Sequence, residues 1–125
     1  MSHNLKVDWT VRFHDDFELE FQDLDEALQD ELLAHLSVLK QFGPMLGRPL
    51  VDTLKGSRFA NMKELRFKLK GALWRFAFAF DPERAAIVLV GGNKRGKHQE
   101  GFYDELIKIA DARFEAHLSN SKKER

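Results

Sequence analysis

Arg66, Lys68 and Arg75 lie in two short runs of alternating apolar and polar residues, Lys63-Glu64-Leu65-Arg66-Phe67-Lys68-Leu69-Lys70 and Trp74-Arg75-Phe76-Ala77-Phe78-Ala79-Phe80. Successive side chains of a strand point to opposite faces, so Leu65, Phe67 and Leu69 face a core while Glu64, Arg66, Lys68 and Lys70 face away from it. If Trp74, Phe76, Phe78 and Phe80 share that core, opposed residue numbers in the hairpin sum to an odd number. Arg75 then falls on the same non-core face as Arg66. Whether Arg66 or Lys68 stands opposite Arg75 depends on the turn at Lys70-Gly71-Ala72. Either register sets two cations side by side, at a cost of about 0.8 kcal/mol for charges about 5 Å apart in water, and like charges across a strand pair are disfavoured. A surface chosen only for stability would avoid this.

Ala77 and Ala79 share the face of Arg75, and their small side chains leave room above the sheet. A cleft floored by these alanines and walled by Arg66, Lys68 and Arg75 would admit a flat polyanion. The alternative is a helix packed on the alanines, with the cations paired to acids elsewhere. Two loops add positive charge: Lys55-Gly56-Ser57-Arg58, where glycine lets backbone amides approach a phosphate closely, and Asn93-Lys94-Arg95-Gly96-Lys97, followed by His98. An imidazole can move protons near neutral pH, which makes His98 a candidate, although His3, His14, His35 and His117 show how widely histidine is scattered here.

The elements that must position these residues follow in chain order. Leu5, Val7, Trp9, Val11 and Phe13 alternate strictly and predict a first strand. His14-Asp15-Asp16 offers N-cap atoms, and Phe17, Phe21, Leu24 and Leu28 follow at helical spacing, although Phe17, Leu19 and Phe21 also alternate. Asp25 restarts or kinks the helix, and Leu28, Leu32, Leu33, Leu36 and Leu39 build an apolar face that Phe42-Gly43-Pro44 ends. Residues 43–62 show no sustained period and read as an ordered loop. Asp81-Pro82-Glu83-Arg84 is a turn, and Ala85 to Val90 reads as a strand buried on both faces. From Gly101 to about Leu118 a helix turns Phe102, Leu106, Ile109, Ala110 and Phe114 inward, leaving 119–125 as a polar tail.

At 125 residues the chain is one domain, large enough for a single core. It contains no cysteine, which rules out disulfides and thiolate chemistry. The apolar runs are too short to span a bilayer, and the N-terminus lacks the build of a signal peptide, so a soluble, cytoplasmic protein without a membrane partner is expected. The net charge of zero conceals an asymmetry. Residues 1–54 hold eleven Asp or Glu against four Lys or Arg, a balance of −7, and residues 55–125 hold nine against sixteen, a balance of +7. Either the second half faces an anion such as nucleic acid, or the two halves pair with each other.

With these residues in view, the chain resembles the RelE/ParE superfamily of bacterial toxins, and in particular its HigB-like, phage-derived branch. The strings that carry the resemblance are Asp52-Thr53-Leu54-Lys55-Gly56-Ser57, Asn61-Met62-Lys63-Glu64-Leu65-Arg66-Phe67, Trp74-Arg75, Gly92-Asn93-Lys94, Phe102-Tyr103 and Ala110-Asp111-Ala112-Arg113-Phe114. The resemblance implies an α+β, RelE-like fold for residues 1–118: a small twisted, mostly antiparallel four-stranded sheet with an N-terminal helical hairpin and a C-terminal helix, in the order β-α-α-β-β-β-α.

The function it implies is that of a type II toxin, an endoribonuclease that cuts mRNA, commonly on the ribosome, with neither metal nor cofactor, and that a helix-turn-helix antitoxin neutralises. Such cleavage needs a base for the 2′-hydroxyl proton, cations for the phosphorane-like transition state and an acid for the leaving 5′-oxygen. Carried over by position, the catalytic set is Arg66, Arg75, Lys94 and Tyr103, with Lys55, Arg58, Lys68, Arg95, Lys97 and His98 on the RNA. Arg75 is expected to hold the scissile phosphate, and its loss to abolish cleavage while leaving the fold intact. Some relatives carry a second cation where this chain has Glu64, which is then either a base or a salt-bridge partner of the cations. A gyrase-directed toxin of the ParE kind, or a nucleic-acid-binding module without catalysis, would suit the same fold.

Overall fold

The computed structural model describes residues 8–96 and 98–123. Five strands form one sheet in the order β1-β5-β4-β3-β2: β1 (Thr10–Phe13), β2 (Val51–Thr53), β3 (Met62–Leu69), β4 (Ala72–Phe80) and β5 (Ala85–Asn93). β1 runs parallel to β5, and all other neighbours are antiparallel. The helices are α1 (Asp15–Gln22), α2 (Glu26–Phe42) and α3 (Gln99–Lys123).

The RelE-like α+β plan holds, with differences in detail. The first strand is confined to Thr10–Phe13, while Leu5 and Val7 lie outside the described residues. Of the expected helical hairpin or bent helix over about 15–42, the two-helix form is found, with α1 and α2 separated at Asp23-Leu24-Asp25. His14 caps α1 through its ring nitrogen, Nδ1 accepting from the Asp16 N–H at 3.1 Å. Residues 43–62 are more than a loop, because Val51–Thr53 pairs with Leu65, Glu64 and Lys63 as a fifth strand. α3 continues past Leu118 to Lys123, through much of the expected tail. Among the described residues no helix is long and apolar enough to cross a membrane.

The sheet is covered on both faces. α1 and α2 lay Phe17, Leu28, Leu32, Leu36 and Leu39 on Leu65, Phe67, Phe76, Phe78 and Val88. On the other face α3 lays Phe102, Leu106, Ala110 and Phe114 on Met62, Ala77, Ala79, Ile87 and Leu89. The expectation of an open cleft floored by Ala77 and Ala79 is thereby corrected: both alanines are fully buried. Their small side chains admit the helix, as the alternative reading had it. The strand residues Ala85 to Val90 are buried throughout, as a strand sandwiched between helices must be.

Two glycines are required by close approach. A Cβ on Gly43 (φ +58°), which ends α2, would stand 2.3 Å from the Trp9 ring, and a Cβ on Gly91 would stand 2.1 Å from the Phe76 ring. Asp81 closes the β4–β5 turn: its Oδ1 accepts from the Glu83 and Ala85 N–H groups at 2.9 and 3.0 Å, and its Oδ2 lies 2.9 Å from His117 Nε2 on α3. Burial acts to raise the Asp81 pKa, but the bonds from His117, Ala85 and Glu83 outweigh it and hold the carboxyl below its ordinary value.

Two predictions follow from this packing. Gly91→Ala should lower stability by about 1–3 kcal/mol through overpacking against Phe76, read as a lower urea midpoint with unchanged slope. Because the folded-state pKa of Asp81 is depressed, its contribution is present above the ordinary carboxylate pKa and is lost as pH falls through the lowered one. Asp81→Asn should therefore flatten the acid side of the stability–pH curve, measured by urea titrations from neutral pH downward.

Candidate functional site

The β3–β4 hairpin takes the register in which Arg66 stands directly opposite Arg75. The repulsion is relieved by separate carboxylates. Arg66 turns outward to β2, where its Nη2 lies 3.9 Å from Asp52 Oδ2 and its Nε donates to the Pro49 carbonyl at 3.4 Å. Arg75 turns inward, its Nε 3.4 Å from Glu64 Oε1, and both of those side chains are more than nine-tenths buried.

The first turn of α3 roofs this buried pair. The Arg75 guanidinium lies 5.2 Å from the Tyr103 ring centre and 5.9 Å from that of Phe102, within cation–π range. Tyr103 donates its hydroxyl proton to Glu64 Oε1 at 3.0 Å. Arg75 Nε and Nη1 are buried with no hydrogen-bond acceptor aligned on them, which leaves the guanidinium only partly satisfied. Such an arrangement makes the Glu64 carboxylate costly to lose and hard to displace.

The ionisation of the cluster follows from this environment. Burial raises the Glu64 pKa, opposed by the Tyr103 hydrogen bond and the charges of Arg75 and Arg66. Burial also raises the Tyr103 pKa, and the Glu64 charge and hydrogen bond add to it, so the phenol stays protonated at neutral pH. Asp52 is held low, first by the Thr53 N–H and then by Arg48 and Arg66.

Beside the cluster runs a groove of about 310 Å³ lined by Arg48, Asp52, Thr53, Leu54, Lys55, Glu64, Gln99 and Tyr103. It adjoins a second hollow of about 480 Å³ that shares Lys55, Gln99 and Tyr103. Lys94 reaches its rim by donating to Gln99 Oε1 at 3.3 Å. Lys55 and Tyr103 thus line this groove, Lys94 and Arg66 adjoin it through its lining residues Gln99 and Asp52, and Arg75 is buried against Glu64.

The remaining sequence-selected cations are placed otherwise. Arg58 is drawn to α3, its side chain pairing with Glu115 and its N–H donating to Asp111. The Asp111 carboxylate also takes the Ser57 hydroxyl, so the string Ala110-Asp111-Ala112-Arg113-Phe114 fastens the 55–58 loop to α3. Its Arg113 binds Glu20 on α1 and the Leu89 carbonyl. Lys68 is exposed opposite Leu73, and Arg95 is exposed at a separate recess by Gly71 and Leu73. The His98 carbonyl accepts the Phe102 N–H as α3 begins, and its side chain is exposed. Lys97 lies outside the described residues. Among the described residues no three His, Asp or Glu side chains cluster as metal ligands would.

Alternation alone places Glu64 on the cation face, and only the fold buries it. Gln99, Asp52, Arg48 and the Phe102 roof carried no chemical signal in the sequence, because each enters the site through the β2 pairing or the start of α3.

Comparison with known proteins supplies the lineage. The family model for phage-derived, Gp49-like proteins matches residues 19–115. A Mycobacterium tuberculosis protein named as toxin HigB2 is 50% identical over 97 residues, 77% of this chain and 48% of that protein, so the chain spans about half the length of this relative. A second protein from the same organism, named as toxin HigB3, is 48% identical over 85 residues, 68% of this chain and 72% of that one. The fold is shared with a double arginine-to-alanine mutant of the E. coli toxin RelE in the free state, with a TM-score of 0.55 at 15% identity over 80% of this chain and 94% of that one. It is also shared with the M. tuberculosis RelBE2 toxin–antitoxin complex, with a TM-score of 0.51 at 17% identity over 70% of this chain and 92% of that one. On a family match that covers most of its length, joined to these HigB relatives, the chain belongs to the phage-derived Gp49-like family, the HigB branch of the RelE-like fold.

Proposed function

We propose that the protein is the toxin of a toxin–antitoxin pair and acts as an endoribonuclease on mRNA. The observation that carries this reading is the groove at the start of α3. Lys55, Glu64 and Tyr103 line it, Lys94 and Arg66 contact its lining residues Gln99 and Asp52, and the partly satisfied Arg75 is buried against Glu64 and Tyr103. The rim cations hold phosphate and offset the negative charge that develops on the phosphorane oxygens. Tyr103 offers a ring face on which an unpaired base can stack. In-line attack by the 2′-oxygen leaves a 2′,3′-cyclic phosphate and a free 5′-hydroxyl.

The partner in this reading is an antitoxin with a helix-turn-helix domain, encoded beside the toxin. The names of the HigB relatives and the RelBE2 complex support a partner of that general kind. Growth arrest on expression of this chain, relieved by co-expression of the neighbouring protein, tests the pairing.

The expected effect of Arg75→Ala changes with the structure. It strands the buried Glu64 carboxylate and should cost roughly 3–5 kcal/mol of stability, so the resulting loss of cleavage would not isolate the site. The rim residues provide the cleaner test. Lys55→Ala and Arg66→Ala should each weaken binding of single-stranded RNA and reduce the steepness of its log–log salt dependence by about 1. Their melting should change little, because Lys55 has no ion pair among the described residues and the Arg66–Asp52 contact is long at 3.9 Å. A salt dependence near zero in the unmodified protein would reject a phosphate-binding groove.

A further inference from the structure

Two groups face the same oxygen of Glu64, Tyr103 through a hydrogen bond and Arg75 as an ion pair without an aligned one. Tyr103 donates to Oε1 at 3.0 Å, and Arg75 Nε lies 3.4 Å from Oε1. Oε2 receives neither contact, and the carboxylate lines the 310 Å³ groove. The strand backbone of β3 sets the side chain's origin, β2 flanks it with Asp52 directly opposite, and β4 flanks it with Ala77. The carboxylate is therefore fixed in position and nine-tenths buried, with one oxygen committed to the protein and one left for a ligand. Arginine–carboxylate pairs are frequently bidentate, with both oxygens on the guanidinium. Here Arg75 Nη1 is left with no acceptor.

Resting on the ribonuclease reading above, we propose that Glu64 is the base of the cleavage, acting through Oε2, and that Arg75 and Tyr103 are positioning residues that hold Oε1. Glu64 Oε2 takes the proton of the 2′-hydroxyl, and the 2′-oxygen forms its bond to phosphorus as the bond from phosphorus to the 5′-oxygen breaks. The departing oxygen takes a proton from water, and Glu64 returns the proton it accepted to solvent, so the protein ends as it began. Burial lifts the carboxyl toward the working pH and makes it a better proton acceptor than an exposed glutamate. Tyr103 stays a phenol and so keeps donating to Oε1. The charges facing Glu64 are Arg75 from β4, Arg66 from its own strand, Asp52 from β2 and the Tyr103 phenol from α3.

The test is a single-turnover pH–rate profile on an oligoribonucleotide, with ribosomes added if the naked RNA is not cut. Binding of the all-2′-O-methyl oligonucleotide of the same sequence is measured in parallel. Wild type should show an acid limb at a pH above the ordinary glutamate pKa. Glu64→Gln should slow cleavage roughly 100- to 10,000-fold and erase that limb, while binding of the methylated oligonucleotide stays within about threefold, the rim cations being intact. Glu64→Asp, which keeps the charge, should keep a limb at reduced rate and guards against a glutamine variant that fails to fold. Tyr103→Phe removes a bond that lowers the Glu64 pKa and should move the limb to higher pH. Arg75→Lys should restore most of the rate and limb position lost in Arg75→Ala. A folded Glu64→Gln that cleaves at the wild-type rate, or a limb that no variant moves, overturns the assignment and leaves the nuclease reading standing. A wild-type protein that binds and cuts no RNA in either setting overturns both.

Discussion

The structure turns on two arginines forced to face each other. Arg66 and Arg75 are cross-strand partners on one face of the sheet, and a like-charge pair of this kind is tolerated only where other charges absorb it. Asp52 takes Arg66 toward solvent and Glu64 takes Arg75 toward the interior. β2 supplies the carboxylate for the first of these, its three residues pairing beside Leu65, Glu64 and Lys63. The opposed cations therefore split into an outward arm that can reach an anion and an inward arm that fixes a carboxylate.

The inward arm depends on α3. Phe102, Leu106, Ala110 and Phe114 recur every four residues and make a row inclined to the helix axis, and among the residues it packs on, the small ones let it approach the sheet closely. Ala77 and Ala79 provide the place. The helix axis is set by that contact, so its first turn projects past the alanines and over Arg75, bringing the Phe102 and Tyr103 rings within reach of the guanidinium. Gly92 lies opposite Arg75 on β5, and a Cβ there would already touch the Phe102 ring at 3.4 Å. Small residues on two strands thus decide how closely an aromatic roof can settle over a buried charge.

Strand alternation made much of this readable in advance, and its limits are equally physical. Parity in the hairpin required Arg66 and Arg75 to share a face, and the observed pairing of Phe67 with Trp74 obeys it. Parity could not say whether that face was open. An arginine among alanines suits a floor for a ligand and a seat for a helix equally well, and only the tertiary placement of α3 distinguishes them. The short β2 escaped notice because three residues between prolines and glycines carry no period. Tyr103 was picked by resemblance, but its Glu64 partner lies 39 residues away and has no local trace.

The charge asymmetry between the two halves resolves in the same way, with each of its two readings holding for a different set of cations. Arg113 is bound across the molecule to Asp16 and Glu20 of α1, and Lys70 lies 3.7 Å from Asp25. These pairs answer acidic residues of the first half and tie the helices on opposite faces of the sheet to one another and to the hairpin. Lys55, Lys68 and Arg95 have no ion pair among the described residues. The cations that pair internally lie where α1, α3 and the hairpin turn must be fastened. Lys55, by contrast, lines the groove beside Glu64 and Tyr103, and Lys94 reaches it through Gln99. A net charge of zero is therefore compatible with a polar site: some acids are spent on the scaffold, while in the groove Lys55 stands beside the acids Asp52 and Glu64.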